Sequence, residues 1–439
     1  MEGLFILIMD RMSPHILILG GGFAGVSTAT RLEKALKPAE ATISLISREN
    51  FTVFTPMLPE VSSGGLEPRH VVTPVRAQLH RTNFYLGEIA NIDLAHKSVE
   101  IEHIMLGRRQ KLAYDHLVFA LGSVTSTFGL PGVEERALPL KTLEDAERLR
   151  NHVVAMLETA DVTADPAARK RLLTFVFVGG GFTGVEATGE MVDLFHSVCR
   201  FYRMIDPGEI KVVLVEGGHK LLPELQDGMG EYSARALAKR GVSVMLDAPV
   251  GGADADGLNF TNGDHIPTAT IVWSAGMRPS PLVTTLPIET RRGAIVTRSD
   301  MSVPGQECLW AIGDCAAIPD PDSSNGKSYP PTAQHAIREG PILAENIVAV
   351  LRGKPTTPFR YRSIGMMASL GRRRGVAGLH GKFLLTGFIA WLLWRTYYLA
   401  RLPGLDRRLR VTFDWTLDLL FARDISELRV YAKKKEQIE

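Results

Sequence analysis

HILILGGGFAGVSTAT (residues 15–30) and TFVFVGGGFTGVEATG (174–189) align without a gap at an offset of 159 residues. Each opens with a β-branched or aliphatic run, continues through Gly-Gly-Gly-Phe-x-Gly and ends in helix formers. That pattern predicts strand, tight turn and helix, twice in one chain. Both copies hold G-x-G-x-x-G, as Gly20, Gly22 and Gly25 and as Gly179, Gly181 and Gly184. The first glycine makes the turn, the second lets backbone approach a pyrophosphate, and the third packs helix on strand. The pyrophosphate would rest on free N–H groups at the positive end of the helix dipole. A lone motif of this kind is weak, but two in register predict two Rossmann-like dinucleotide folds and an α/β architecture.

The residues that follow divide the labour. KVVLVEGG (211–218) reads as the next strand of the second copy and ends in Glu216. A carboxylate there accepts bonds from the hydroxyls of an adenine ribose and repels a 2′-phosphate, so this site should prefer NAD(H) to NADP(H). In the first copy TISLISREN (42–50) is the matching strand, with Ser47 at the acidic position and Arg48 after it. Serine still bonds a ribose hydroxyl, so a nucleotide site is expected there too.

At 439 residues the chain exceeds one hydrophobic core. Apolar residues at 45% and charged residues at 22% fit a globular protein rather than disorder. A net charge of +2 provides no global field for nucleic acid. The charge is unevenly placed, however: residues 360–439 carry 16 Lys+Arg against 7 Asp+Glu. A basic tail on an acidic body points to a membrane surface or an anionic partner. Cys199, Cys308 and Cys315 form neither a disulfide framework nor a C-x-x-C pair, which predicts reduced thiols in the cytoplasm. MEGLFILIMDRM at the start is a poor signal peptide, and Met12 is the simpler start. Metal-ligand spacing is not evident, so no metal is expected.

Further segments resemble the two-dinucleotide flavoprotein disulfide-reductase superfamily over roughly residues 14–345. YDHLVFALGS (114–123) and IVWSAGMRP (271–279) are similar to its strand-plus-glycine crossovers, and CLWAIGDCAAIP (308–319) to its second FAD signature. The resemblance implies that Asp314 bonds the ribityl chain of FAD. No cysteine pair accompanies it, which excludes a disulfide reductase. Instead FTVFTPMLPEVSSGGLEPRH (51–70) resembles the loop that type II NADH dehydrogenases lay over the flavin, with Thr55 and Met57 held by Pro56 and Pro59. PTAQHAIREG (331–340) resembles that family's Ala-Gln-x-Ala-x-Gln helix through Ala333, Gln334 and Ala336, but Arg338 replaces the second glutamine. Glu186 matches a family glutamate facing the space between nicotinamide and flavin. The resemblance therefore implies Glu186 and Gln334 as catalytic residues, FAD and NADH as cofactors, and a quinone as acceptor.

The C-terminal quarter contains FLLTGFIAWLLW (383–394), twelve residues without a charge and too short to span a bilayer. Trp391, Trp394, Tyr397 and Tyr398 are residues that settle at the headgroup level. RRLRVTFDWTLDLLFARD (407–424) places Leu409, Phe413, Leu417, Leu420 and Phe421 on one helical face and Arg410, Asp414 and Asp418 on another. The pair reads as an in-plane membrane anchor or as a dimer interface. Removing the tail before about Lys382 should then leave FAD binding and NADH oxidation intact.

The expected architecture is an FAD domain from 13–135 and 286–350, an NAD(H) domain at 170–285 and a membrane-surface or dimerisation region at 351–439. The polar stretch ADVTADPAA (160–168) would break the first two apart. The expected activity is NADH oxidation through flavin to a membrane quinone, by a homodimer on the cytoplasmic face. A sulfide:quinone oxidoreductase and a slow FAD- and NADH-binding redox sensor are the alternatives.

Overall fold

The computed structural model describes residues 13–105, 107–323, 326–363, 365–379 and 383–427. The apolar start, and with it the reading of Met12, lies outside these residues. Two compact units form, each discontinuous in sequence. The first comprises the described residues up to Val53, then Val72–Val124 and Met277–Arg362. The second comprises Phe54–Val71, Thr125–Gly276 and the described residues from Ser363 onward.

In the first unit five parallel strands run in the order Leu309–Ala311, His116–Phe119, His15–Leu19, Thr42–Ser47 and Asn83–Leu86. Ile16, Leu17, Ile18 and Leu19 are all buried, the unbroken apolar run of a strand covered on both faces. Helix Phe23–Ala35 follows the first glycine turn and packs against helix Ala333–Leu351. Gly340 permits that approach, because a Cβ there would lie 2.1 Å from Ser27 Oγ.

The second unit repeats the plan. Its parallel strands run Leu138–Pro139, Thr270–Trp273, Thr174–Val178, Lys211–Val215 and Val242–Met245. In both sheets the strand before the glycine turn is central. The strand ending at Ser47 or beside Glu216 lies on one side, and the strand leading to Gly122 or Gly276 on the other. Each unit also carries a three-stranded antiparallel sheet, Glu88–Asp93 with Ser98–Glu102 and Arg109–Ala113, and Val250–Ala253 with Gly257–Phe260 and His265–Pro267. The duplication in the sequence is a duplication of topology.

ADVTADPAA does not separate the units. It is a turn within the second, where helix Leu143–Val162 ends and helix Pro166–Leu172 begins. Asp165 caps the new helix by accepting from Ala167 N at 3.3 Å and Ala168 N at 3.0 Å.

The described residues after 364 form an antiparallel meander, Gly365–Ser369, Gly375–Leu379 and Phe383–Thr386, and two helices, Gly387–Arg401 and Leu405–Leu420. Among the described residues no helix is long and apolar enough to cross a membrane. Leu409, Phe413, Leu417, Leu420 and Phe421 are exposed, while Asp414 and Asp418 turn inward. Trp391 and Trp394 depart from the sequence expectation. Both are buried in protein rather than set at a headgroup level, because each serves a buried charge described below.

Candidate functional site

The two glycine turns have the same geometry. Gly20 has φ +116° and Gly179 φ +113°, the left-handed region where a side chain is strained. A Cβ on Gly25 would lie 1.9 Å from Gly20 O, and one on Gly184 1.8 Å from Gly179 O. Gly22 and Gly181 differ, since a Cβ on either would meet nothing within 4 Å. Each of these open positions starts a helix whose first N–H groups receive no side-chain cap. Free donors, a helix dipole and a bare approach fit a dinucleotide pyrophosphate at both turns.

The strand ends supply the ribose side. Ser47 Oγ sits against Gly21, where an added Cβ would come within 2.6 Å. Glu216 holds the equivalent place in the second unit and accepts from Gly180 N at 2.5 Å and Gly218 N at 2.7 Å. Its carboxylate is thereby fixed, and its oxygens keep further lone pairs for hydroxyl donors. Arg48 is exposed beside Ser47.

Asp314 follows Gly313, which adopts φ +70°, and accepts from Ser123 Oγ at 2.5 Å. Gly313 N donates to Glu339 Oε2 at 2.7 Å, so a buried glutamate braces this turn from helix Ala333–Leu351. Burial pushes Glu339 up to about 7. Nothing in the sequence reading singled it out. On the same helix Gln334 Oε1 accepts from Tyr361 OH at 3.2 Å. Arg338 Nη1 donates to Gln334 O at 2.7 Å, and its guanidinium lies 4.2 Å over the Tyr361 ring. The departure at Arg338 is therefore part of a packed cluster with Gln334.

Glu186 belongs to the second unit, on helix Phe182–Val198. Its Oε1 accepts from Ser369 N at 2.9 Å and from Trp394 Nε1 at 2.8 Å. Glu190, one turn on, accepts from Arg423 Nη2 at 2.9 Å, and Arg423 Nε donates to Asp418 at 2.9 Å. A third carboxylate, Glu60, comes from the loop that contains Thr55 and the fully buried Met57. It accepts from Arg395 Nη2 and Trp415 Nε1, each at 3.1 Å. The Arg395 guanidinium lies between two indoles, 4.3 Å from Trp391 and 4.4 Å from Trp415. Burial pushes Glu186 up to about 8 against the hydrogen bonds from Ser369 and Trp394, and it pushes Glu60 up to about 7 and raises Glu190 against the pull of Arg395 and Arg423.

These contacts overturn the expectation that the tail is separable. Three buried carboxylates of the second unit take their partners from residues beyond 368. Sequence reasoning missed Glu60, Trp415 and Arg423, and it assigned Trp394 to a headgroup level rather than to Glu186. The available signal was an acidic stripe on helix Phe182–Val198 at 186, 190 and 193, opposite an excess of arginine in the tail. Among the described residues no group of His, Cys, Asp and Glu could hold a metal.

The pyridine nucleotide-disulphide oxidoreductase family matches residues 14–340, and the NDH2 C-terminal domain matches 364–424. The chain is 33% identical over 425 residues to the type II NADH:quinone oxidoreductase Ndh of Mycobacterium tuberculosis, covering 93% of this chain and 89% of that protein. It is 33% identical over 377 residues to the type II NADH:quinone oxidoreductase of Staphylococcus aureus, covering 84% and 90%. In fold it matches the structure of NDH2 from Plasmodium falciparum in complex with NADH, with TM-score 0.85, 22% identity, and coverage of 95% of this chain and all of that one. Two glycine turns built for dinucleotides and a C-terminal region woven into the second unit are thus matched over nearly the whole chain, and the protein belongs to the type II NADH:quinone oxidoreductase family.

Proposed function

We infer that the protein is an FAD-dependent NADH dehydrogenase that delivers electrons to a quinone. The observation that carries this reading is the pair of open glycine turns, one of them followed by Glu216. In place of the expected bounds 13–135, 286–350 and 170–285, we assign FAD to the first unit and NADH to the second. Gly20, Gly22 and Gly25 receive the FAD pyrophosphate, Ser47 and Arg48 its adenosine end, Asp314 its ribityl chain and Thr55 the flavin. Gly179, Gly181 and Gly184 receive the NADH pyrophosphate, and Glu216 its adenine ribose.

Bound FAD would supply the two-electron chemistry that links NADH to the quinone. What the chain adds is position and protons. Glu216 selects NADH by accepting ribose hydroxyls and repelling a 2′-phosphate. Glu186, raised by burial to about 8, carries a proton at neutral pH and so can donate one where quinone reduction demands it. Trp394 and Ser369 hold its Oε1 in one orientation. Gln334 is held by Tyr361 and offers an amide to the acceptor.

The exposed apolar faces of helices Gly387–Arg401 and Leu405–Leu420 support docking in the plane of a membrane, from which a lipid-dissolved quinone enters, and we assign that docking to the cytoplasmic face. The same faces would serve a homodimer. A sulfide:quinone reaction is not favoured: Cys315 is buried against Phe119 O, and Cys199 and Cys308 lie in different units.

Purified protein should show flavin absorbance and oxidise NADH with a short-chain quinone, at a rate well above that with sulfide. Absence of flavin from the folded protein would end this reading.

A further inference from the structure

Behind helix Phe182–Val198 the second unit holds a cavity of about 470 Å³ with an unusual charge. Asp193 and His196 line it from that helix, Lys239 and Arg240 from the end of helix Met229–Ala238, and Arg372, Arg373 and Arg374 from the turn between Ser369 and Gly375. Five cations face one carboxylate.

The carboxylate is already spent. Asp193 accepts from Arg240 Nη2 and from Arg372 N, and Arg372 Nη2 lies 3.3 Å from Asp418. Lys239, Arg373 and Arg374 meet no carboxylate among the described residues. Arg372 Nε is buried without an acceptor among the described residues, and a buried charged donor left unpaired is costly. Arg373 adopts φ +61°, uncommon for a side-chain-bearing residue, in the turn that brings three arginines together. Arg240 is anchored as well, donating from Nη1 to Gly189 O at 3.1 Å and to Leu370 O. Part of the wall is therefore fixed in place, and the cluster retains three uncompensated positive charges.

Guanidinium forks and one ammonium group converging from the Lys239–Arg240 helix end and the Arg372–Arg374 turn match the several oxygens and double charge of a phosphate. The volume exceeds that of one phosphate and leaves room for an ester substituent. The turn also adjoins the C-terminal helices: a Cβ on Gly375 would meet Trp391 N at 2.8 Å, and Asp418 belongs to helix Leu405–Leu420, whose Leu417 and Leu420 are exposed. We propose that this cavity is a phosphate-binding site, distinct from both glycine turns, which takes inorganic phosphate or the phosphate of an ester such as an anionic lipid headgroup.

The test uses full-length protein with FAD bound and NAD⁺ in excess, so that both glycine turns are occupied. Calorimetric titration with inorganic phosphate, and separately with a short-chain phosphatidylglycerol below its micellar concentration, would be run on the wild type and on the Lys239→Gln/Arg374→Gln variant. Both substituted side chains are exposed, so FAD content and melting temperature should stay unchanged. Saturable binding of at least one probe is expected, weakened at least tenfold in the variant. Tighter binding of the lipid would identify a headgroup as the source, and tighter binding of phosphate a soluble one. Absence of saturable binding of either probe to the wild type, or equal affinity in the variant, would overturn the proposal.

Discussion

Trp394 donates its indole N–H to Glu186 Oε1 at 2.8 Å, across 208 residues of sequence. A hydrogen bond to a buried carboxylate stabilises its ionised form by about 1.5–3 kcal/mol. Trp394→Phe removes that donor and keeps an aromatic ring, so Glu186 should rise above its present value of about 8. The alkaline limb of kcat against pH should move upward by roughly one to two units, at about 1.4 kcal/mol per unit. An unshifted limb would show that Glu186 does not set it.

Glu186 also ties stability to pH. Folding raises its pKa from 4.5 to about 8, so between those values the folded state holds a proton that the unfolded state has released. The stability from this carboxyl is complete below pH 4.5 and is lost as pH climbs to about 8. Glu186→Gln removes the dependence. Urea midpoints at pH 5, 6.5 and 8 should show the variant gaining on the wild type by about 2–4 kcal/mol across the series. Parallel curves for the two proteins would contradict this.

Arg423 is engaged by Glu190, Asp418 and backbone carbonyls at once. Arg423→Leu leaves the buried Glu190 without its cation and Asp418 with Arg372 alone, and should cost about 3–5 kcal/mol. Adding Glu190→Gln should restore part of the loss, which thermal unfolding of the single and double variants would measure. Truncation before Lys382 should be worse, since it removes Trp394, Arg395 and Arg423 together. A truncated protein that melted like the full chain would refute the integral role of the tail.

The nicotinamide preference offers a gain rather than a loss. A Cβ on Gly217 would approach only Pro249 Cα, at 3.8 Å, so an arginine fits there. Glu216→Ser/Gly217→Arg removes the acceptor and its repulsion and adds a partner for a 2′-phosphate. The NADPH to NADH ratio of kcat/KM should rise at least about tenfold, equivalent to about 1.4 kcal/mol. An unchanged ratio would place Glu216 away from the ribose.

Leu409 and Phe413 are exposed and contribute little to the fold. Leu409→Ser/Phe413→Ser should therefore keep its melting temperature yet bind anionic liposomes more weakly, since each large apolar group buried in lipid contributes about 1.5–3 kcal/mol. Sedimentation with vesicles would read this. Unchanged binding alongside loss of a dimer would assign the face to subunit contact.

The glycine turns were legible because their geometry is local. Gly20 and Gly179 need positive φ, Gly25 and Gly184 need the absence of a Cβ, and both requirements are written in adjacent residues. Glu216 followed from its place at a strand end. The carboxylate cluster was not legible, because Glu60 meets Arg395 and Glu190 meets Arg423 only through tertiary packing. The excess charge of the tail was visible, yet its meaning was split. Arg395 and Arg423 neutralise buried acids, while the Arg372–Arg374 run faces a cavity. Likewise the indoles of Trp391 and Trp394 suit a headgroup belt by composition, and burial alone reveals that they serve Arg395 and Glu186.

The discontinuity of the second unit has a consequence for biosynthesis. Glu60, Glu186 and Glu190 are translated long before Trp394, Arg395 and Arg423. Until Trp394, Arg395 and Arg423 have been made, those carboxylates lack the partners of the folded state, so the helix that carries two of them cannot be sealed into its final surroundings. Contacts of such long sequence separation form slowly, because loop closure precedes any reward. A ribosome-bound nascent chain should thus hold a first dinucleotide sheet near completion and a second that remains open. The second would close only as the last helix emerges, the moment at which its outward apolar face first becomes available to a membrane.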